Sequence, residues 1–285
     1  MYDCGLILEG GGMRGVYTAG VLDSFLDNAI EFSSCYGVSA GGCHCCSFLS
    51  KQRKRAFNVN VDYLKDKHYA SFYSLITTGD FFGAKMVYDD IPNKLSPYDY
   101  DKFDEYIKNG GKFKVVVTNV DTGKPEYIDI KDMHKDIIYV RASSSLPFFA
   151  KIVSVDGKNY LDGGVTDSIP LKKSQHDGNK KNVVILTRDI TYRKEPNKVM
   201  PLIRKMYKKY PNLVNDIQNR HINYNRTLDY IRREEKNGDI FVIRPRKPVK
   251  LKRLEKNKKK LYALYKQGYA DGMRSINKLK AYLEK

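Results

Sequence analysis

Ser34-Cys35-Tyr36-Gly37-Val38-Ser39-Ala40-Gly41 decides the fold: a short apolar strand ends in a G-x-S-x-G pattern and passes into a helix. The strand runs from Ser34 to Val38, and the helical pattern from Ala40 to Leu49. In this context the motif acts through a sharp turn, which holds the serine in a strained conformation with its hydroxyl lifted clear of the backbone. Gly37 and Gly41 let neighbouring backbone approach closely. The following helix aims its first amides at the serine and favours developing negative charge there. By itself the pattern fits equally well a glycine-rich turn whose serine caps the helix.

The same alternation occurs upstream. Cys4 to Leu8 reads as a buried strand, and Val16 to Leu26 as a helix. Strand-helix-strand-helix at this spacing predicts a parallel α/β sheet with helices on its faces. Between the first pair lies Gly10-Gly11-Gly12-Met13-Arg14-Gly15. It matches G-x-G-x-x-G, the dinucleotide fingerprint, but that fingerprint wants an acid at the end of the next strand. Here the next strand ends in Gly37-Val38-Ser39. The competing assignment is an oxyanion hole, because glycine amides can face a tetrahedral intermediate unobstructed. Two adjacent parallel strands bring both glycine turns to one sheet edge. Arg14 either adds charge or braces the loop.

Further on, Tyr98 to Ile107 reads as a helix, and Phe113 to Thr118 and Tyr127 to Ile130 as strands separated by Lys124-Pro125. Val153 to Leu161 forms a hairpin turning at Asp156-Gly157, and Val183 to Thr187 is another buried strand. After the hairpin comes Asp162-Gly163-Gly164, an acid at a strand end that can project into a cleft or simply serve a turn. Beyond residue 190 helical patterns take over, roughly 199–210, 213–236 and 255–283, interrupted by a strand at Ile240 to Ile243 that returns to the sheet edge. Residues 53–110 mix aromatics with charges and, apart from the Tyr98 to Ile107 helix, show no regular pattern.

Taken in order, the three motifs resemble the patatin-like phospholipase family: a GGGxRG loop, a GxSxG elbow and a later DG[AG]. Residues 5–49 and 141–170 carry the resemblance, including Arg141-Ala142-Ser143-Ser144-Ser145-Leu146-Pro147 ahead of the aspartate. It implies a three-layer α/β/α sandwich with a mostly parallel sheet, with residues 1–190 as the catalytic domain. Residues 191–285 would be a basic, mainly helical C-terminal region packed on the same sheet. By the family's pattern Ser39 is the nucleophile and Asp162 its base. The oxyanion hole falls on the loop Gly10, Gly11, Gly12, Met13, Arg14 and Gly15, with Gly37, Gly41, Gly163 and Gly164 in support. The implied activity is hydrolysis of acyl esters of lipids.

A dyad also fits the residues themselves. A triad on an α/β-hydrolase fold wants the order serine, acid, histidine. Only His176 and His221 follow Asp162, neither in a glycine-rich strand-end setting. A desolvated carboxylate can act as base instead, because burial raises its basicity. No cofactor or metal is required. His44 among Cys43, Cys45 and Cys46 invites zinc, but neighbours on a helix diverge by about 100° and cannot converge on one ion. His68, His134 and His176 sit in polar surroundings and are expected at the surface.

The chain has 285 residues, enough for one large core, and 51 basic against 33 acidic residues, a formal charge of +18. That surplus favours anionic partners without choosing among them. Thirteen Lys or Arg lie between Lys247 and Lys285, against three acids, with tyrosines interleaved. A solvated helix face, an anionic membrane contact and a base-stacking groove all suit such a run. A lipid substrate and peripheral membrane contact are expected, without nucleic acid. The other functional class is a patatin-fold membrane or nucleic-acid binding protein with little turnover. Five cysteines, three of them crowded together, argue against a disulfide framework. With no basic leader and no long apolar run, a cytoplasmic location is expected, peripheral at the inner membrane surface.

Overall fold

The computed structural model describes residues 1–285. Eight strands form one sheet: β1 Tyr2–Leu8, β2 Phe32–Gly37, β3 Lys112–Asn119, β4 Lys124–Asp129, β5 Val153–Val155, β6 Lys158–Asp162, β7 Asn182–Ile185 and β8 Phe241–Ile243. The helices are α1 Val16–Asp27, α2 Ala40–Leu49, α3 Arg55–Asp62, α4 Phe72–Thr78, α5 Tyr100–Lys108, α6 Met133–Ser143, α7 Leu171–His176, α8 Met200–Met206, α9 Pro211–Asn237 and α10 Lys258–Glu284.

Strands β3, β2, β1, β7 and β8 run parallel, and β4, β5 and β6 are antiparallel additions at one end. The sheet is therefore mixed around a parallel centre. Strands covered on both faces should be apolar at successive positions. In β1, Cys4, Leu6 and Leu8 enter the main core while Ile7 enters a second core on the opposite face. In β7, Val183 and Ile185 face the first core and Val184 the second. Helices α1, α2 and α10 supply the first core, and α7 and α9 the second. The result is the three-layer α/β/α arrangement.

The register places the site. At Lys114 and Val115, β3 is paired with β2 and β4 at once; from Val117 onward it is paired with β4 and β6. Strand β6 thus takes over the edge that β2 vacates. Gly37 pairs with Val115, and Asp162 with Val117, two residues further along. The serine turn after β2 and the acid ending β6 consequently emerge at the same edge of the sheet.

Three local expectations are refined. Lys124-Pro125 lies inside β4, with Pro125 opposite Thr118. Strand β4 pairs only with β3, so the N–H that proline lacks is not missed. Residues 51–110 are ordered as α3, α4, a π-helical segment Met86–Leu95 and α5, around a small core of Tyr69, Phe81, Met86 and Ile91. The helix expected over 199–210 is shorter and ends before Tyr207.

The C-terminal region is joined to the sheet by β8 and to α1 by α10. A Cβ on Gly20 would lie 2.2 Å from Tyr265 O, and one on Gly268 2.0 Å from Tyr17 O. Both glycines are required by this close helix contact. Tyrosines on α10 bond inward: Tyr265 donates to Asp23 at 2.6 Å and Tyr269 to Asp27 at 2.8 Å.

Candidate active site

Ser39 stands between β2 and α2 with φ 54° and ψ −126°. This positive-φ conformation strains any residue with a Cβ. The surroundings leave the chain no other path. A Cβ on Gly37 would lie 2.5 Å from Gly42 Cα, and one on Gly41 2.4 Å from Leu8 O. The Gly41 N–H donates to Val38 O at 2.8 Å, and the Ser39 N–H to Ser143 Oγ at 2.9 Å. Ser39 is 8% exposed.

The glycine loop runs against this turn. A Cβ on Gly10 would sit 3.1 Å from Ser39 Cβ and 3.0 Å from Val38 O, a crowding that the glycine avoids. Gly12 adopts φ 56° and starts the single 3₁₀ turn that leads through Gly15 into α1. The Gly10 and Gly11 N–H groups donate to nothing within the chain. The Met13 N–H is different: it donates to Arg253 O at 2.9 Å and is not free. Gly15 is fixed by packing, since a Cβ there would meet His44 Nε2 at 2.6 Å. Arg14 is 8% exposed, and its Nε has no partner. Burial, with Arg188 and Arg253 nearby, pushes its guanidinium down to about 10.

Asp162 closes β6 at 1% exposure. Its N–H donates to Ser145 O at 2.8 Å, and its Oδ1 accepts the Gly164 N–H at 2.7 Å. Its Oδ2 is buried without a partner. A Cβ on Gly163 would strike Val116 O at 2.0 Å, whereas one on Gly164 would meet only side-chain atoms, Asp162 Oδ1 at 2.9 Å and Arg220 Nη2 at 3.0 Å. Ser39 and Asp162 wall one small cavity of ≈ 20 Å³ together with Gly10, Gly11 and Gly12. No hydrogen bond joins the two residues; their nearest shared brace is the 143–146 segment. Ser143 Oγ holds the serine amide, Ser145 O holds the aspartate amide, and Leu146 lines the cavity.

Ser39 also opens on its other side into an apolar pocket of ≈ 80 Å³, lined in part by Val59, Tyr69, Phe82, Val87 and Tyr88. His44 reaches this pocket with its Nε2 unpartnered. Burial pushes its imidazole down to about 4, so it is neutral. Cys43 approaches Ser144, while Cys45 and Cys46 are buried in the main core. No three His, Cys, Asp or Glu side chains are grouped to hold a metal ion anywhere in the chain. His68, His134 and His176 lie exposed at the surface, and His221 lines a separate cavity described next.

Sequence patterns missed the cations of this edge. Arg220 of α9 and Arg253 of the loop before α10 line the Ser39–Asp162 cavity. They also line a larger neighbouring cavity of ≈ 430 Å³ with Lys194 and His221. Burial and the Arg253 charge push Arg220 down to about 10, and burial with Arg220 and Arg253 pushes Lys194 down to about 6. Both arginines sit in otherwise ordinary stretches, Arg253 inside the basic run, and nothing in their spacing separates them from solvated neighbours.

Residues 6–173 match the Patatin-like phospholipase family, and residues 210–284 match a domain of unknown function, DUF6363. The chain is 30% identical over 248 residues to the uncharacterized protein YjjU of Escherichia coli, covering 86% of this chain and 69% of that protein. It is 24% identical over 193 residues to a probable lipid hydrolase of Invertebrate iridescent virus 6, covering 62% of this chain and 65% of that one. The crystal structure of VipD from Legionella pneumophila superposes with a TM-score of 0.49 at 12% identity, over 96% of this chain and 66% of that chain. The chain therefore belongs to the patatin-like phospholipase family. No helix is long and apolar enough to cross a membrane.

Proposed function

We propose that the protein is a serine acyl hydrolase that cleaves acyl esters of lipids, with Ser39 as nucleophile and Asp162 as general base. The observation that supports this most directly is the shared cavity: a strained serine and a buried carboxylate oxygen with no partner, Asp162 Oδ2, face the same small space. Ser39 Oγ attacks the ester carbonyl carbon and gives its proton to Asp162. The C–O bond to the alcohol then breaks, and the departing alkoxide takes that proton. Water repeats the sequence on the acyl-Ser39 ester and releases the fatty acid. The unengaged Gly10 and Gly11 amides suit the oxyanion. The apolar pocket beside Ser39 suits the acyl chain, and its lining favours lipid over polar acyl groups.

The test combines covalent labelling with product analysis. A fluorophosphonate probe is expected to label Ser39, and mass spectrometry of mixed lipids to detect fatty acids released by the wild type only. Asp162→Asn retains the Oδ1 acceptor for Gly164 and should lower turnover by about 10²–10⁴-fold. Full turnover in a folded Asp162→Asn variant would overturn the dyad.

A further inference from the structure

We propose that the cavity walled by Lys194, Arg220 and Arg253 binds the phosphate of an anionic lipid substrate, on the alcohol side of the scissile ester. The proposal rests on the acyl hydrolase reading above and adds the substrate's headgroup class to it.

Charge balance is the first ground. Arg14, Arg188, Lys194, Arg220 and Arg253 converge on this edge, with Arg193 also on the cavity wall, against the carboxylates of Glu9, Asp162 and Glu195, the last lining the cavity but turned to solvent and toward Lys198 at 3.9 Å. Glu9 is already engaged by neutral donors, accepting from the Thr187 N–H and hydroxyl and from the Tyr224 hydroxyl. Arg193, on the cavity wall, is paired with Asp229, while Arg232 also meets Asp229, and Arg244 with Glu235 and Arg246 and Arg274 with Asp271 pair away from the cavity lining, so none of these acids neutralises Lys194, Arg220 or Arg253. The Nε atoms of Arg14, Arg188 and Arg220 are buried without acceptors. Half-buried cations with unmet donors are costly unless an anion completes them. Arginine forks match phosphate oxygens two at a time.

Placement is the second ground. Ser39 and Gly12 line both the apolar pocket and the small cavity with Asp162, while Arg220 and Arg253 line the small cavity and the large one. An ester on Ser39 with its acyl chain in the apolar pocket thus directs its alcohol toward the two arginines. The ≈ 430 Å³ beyond them has room for a glycerophosphate-sized group. Lys194 in its lowered state would regain a proton beside such an anion. Since Arg220 and Arg253 both fall within residues 210–284, the domain of unknown function would complete the active site of the patatin-like part.

Binding to Ser39→Ala protein tests this without turnover. Calorimetry compares a short-chain monoacylglycerol 3-phosphate, the monoacylglycerol of the same chain, glycerol 3-phosphate and inorganic phosphate, at matched ionic strength. The phosphate-bearing lipid is expected to bind about tenfold or more tightly than the neutral one, and glycerol 3-phosphate to compete with it. Arg253→Gln and Lys194→Met, each on the Ser39→Ala background, should erode that advantage while circular dichroism and melting stay native. If Arg253→Gln does not fold, Lys194→Met and loss of the advantage at high salt serve the same purpose. Equal affinity for the two lipids would overturn the proposal. Binding of inorganic phosphate with no lipid preference would also overturn it, assigning the cavity to free phosphate. Tight phosphate-lipid binding by Ser39→Ala, with no fatty acid released by the wild type from any ester, would sink the hydrolase reading and leave the anion pocket standing.

Discussion

Replacing Ser39 by glycine and by alanine separates stored strain from chemistry. Both variants lack the hydroxyl and are expected to be inactive. Alanine retains a Cβ at φ 54°, ψ −126°, so it keeps the strain; glycine removes it. Strain in such a region is worth about 1–3 kcal/mol. Against this, glycine gives the unfolded chain more freedom than alanine, a cost of about 0.4–1 kcal/mol. The turn is held from several sides, by the Ser143 acceptor, the Gly41-to-Val38 bond and the Gly37–Gly42 contact, so it should not relax in either variant. The strain release is larger, and Ser39→Gly is expected to be about 1 kcal/mol more stable than Ser39→Ala. For a chain of this size that raises the melting temperature by roughly 2 °C. Urea unfolding of the two proteins side by side measures the difference, with fluorophosphonate labelling as a check that both are inert. A glycine variant no more stable than the alanine variant would refute the idea that this turn stores strain at Ser39.

Two further outcomes are expected. Gly163→Ala should abolish folding or activity, because its Cβ meets the Val116 carbonyl at 2.0 Å, whereas Gly164→Ala should fold, its contacts being the ends of Asp162 and Arg220; soluble yield and melting temperature decide, and equal tolerance would contradict the geometry. His44 should make the fold acid-sensitive. Its folded value of about 4 lies below the unfolded value near 6.5, so the unfolded state binds more protons between them. Stability from this source is complete above about pH 6.5 and is lost as pH falls toward 4, about 3 kcal/mol in all. Denaturant titrations across that range should show a steeper loss in wild type than in His44→Leu; parallel curves would place the imidazole in a wetter setting.

The candidate site's edge was legible because short motifs encode short-range geometry. Gly37, Gly41 and Gly163 are each demanded by a backbone atom within 2.5 Å, and such demands leave glycines at fixed spacings. The position of Asp162 relative to Ser39 was legible only through resemblance. It depends on β6 replacing β2 along β3, a pairing between residues far apart in sequence. Residues 51–97 were opaque for a different reason. Their helices are short, and one carries Pro92 within a π-helical segment, so no regular apolar period builds up.

The basic C-terminal run shows why charge counting says little about placement. Read along the sequence, Lys247 to Lys285 is a uniform band of cations and tyrosines. In the fold its members part company. Tyr265 and Tyr269 turn inward to acids of α1, Lys258 pairs with Asp62, and Arg253 leaves the band for the serine cavity, its carbonyl holding the Met13 amide. That last contact bears on the proposed site. The glycine loop is fixed at one end by β1 and at the other by a carbonyl from the C-terminal loop, so the shape of the oxyanion candidate depends on a segment outside residues 6–173. The side chain of the same residue, with Arg220, sets the charge of the cavity. Cutting the chain between the two matched regions should therefore damage the serine site itself, although every G-x-S-x-G and D-G-G residue would remain in the first piece.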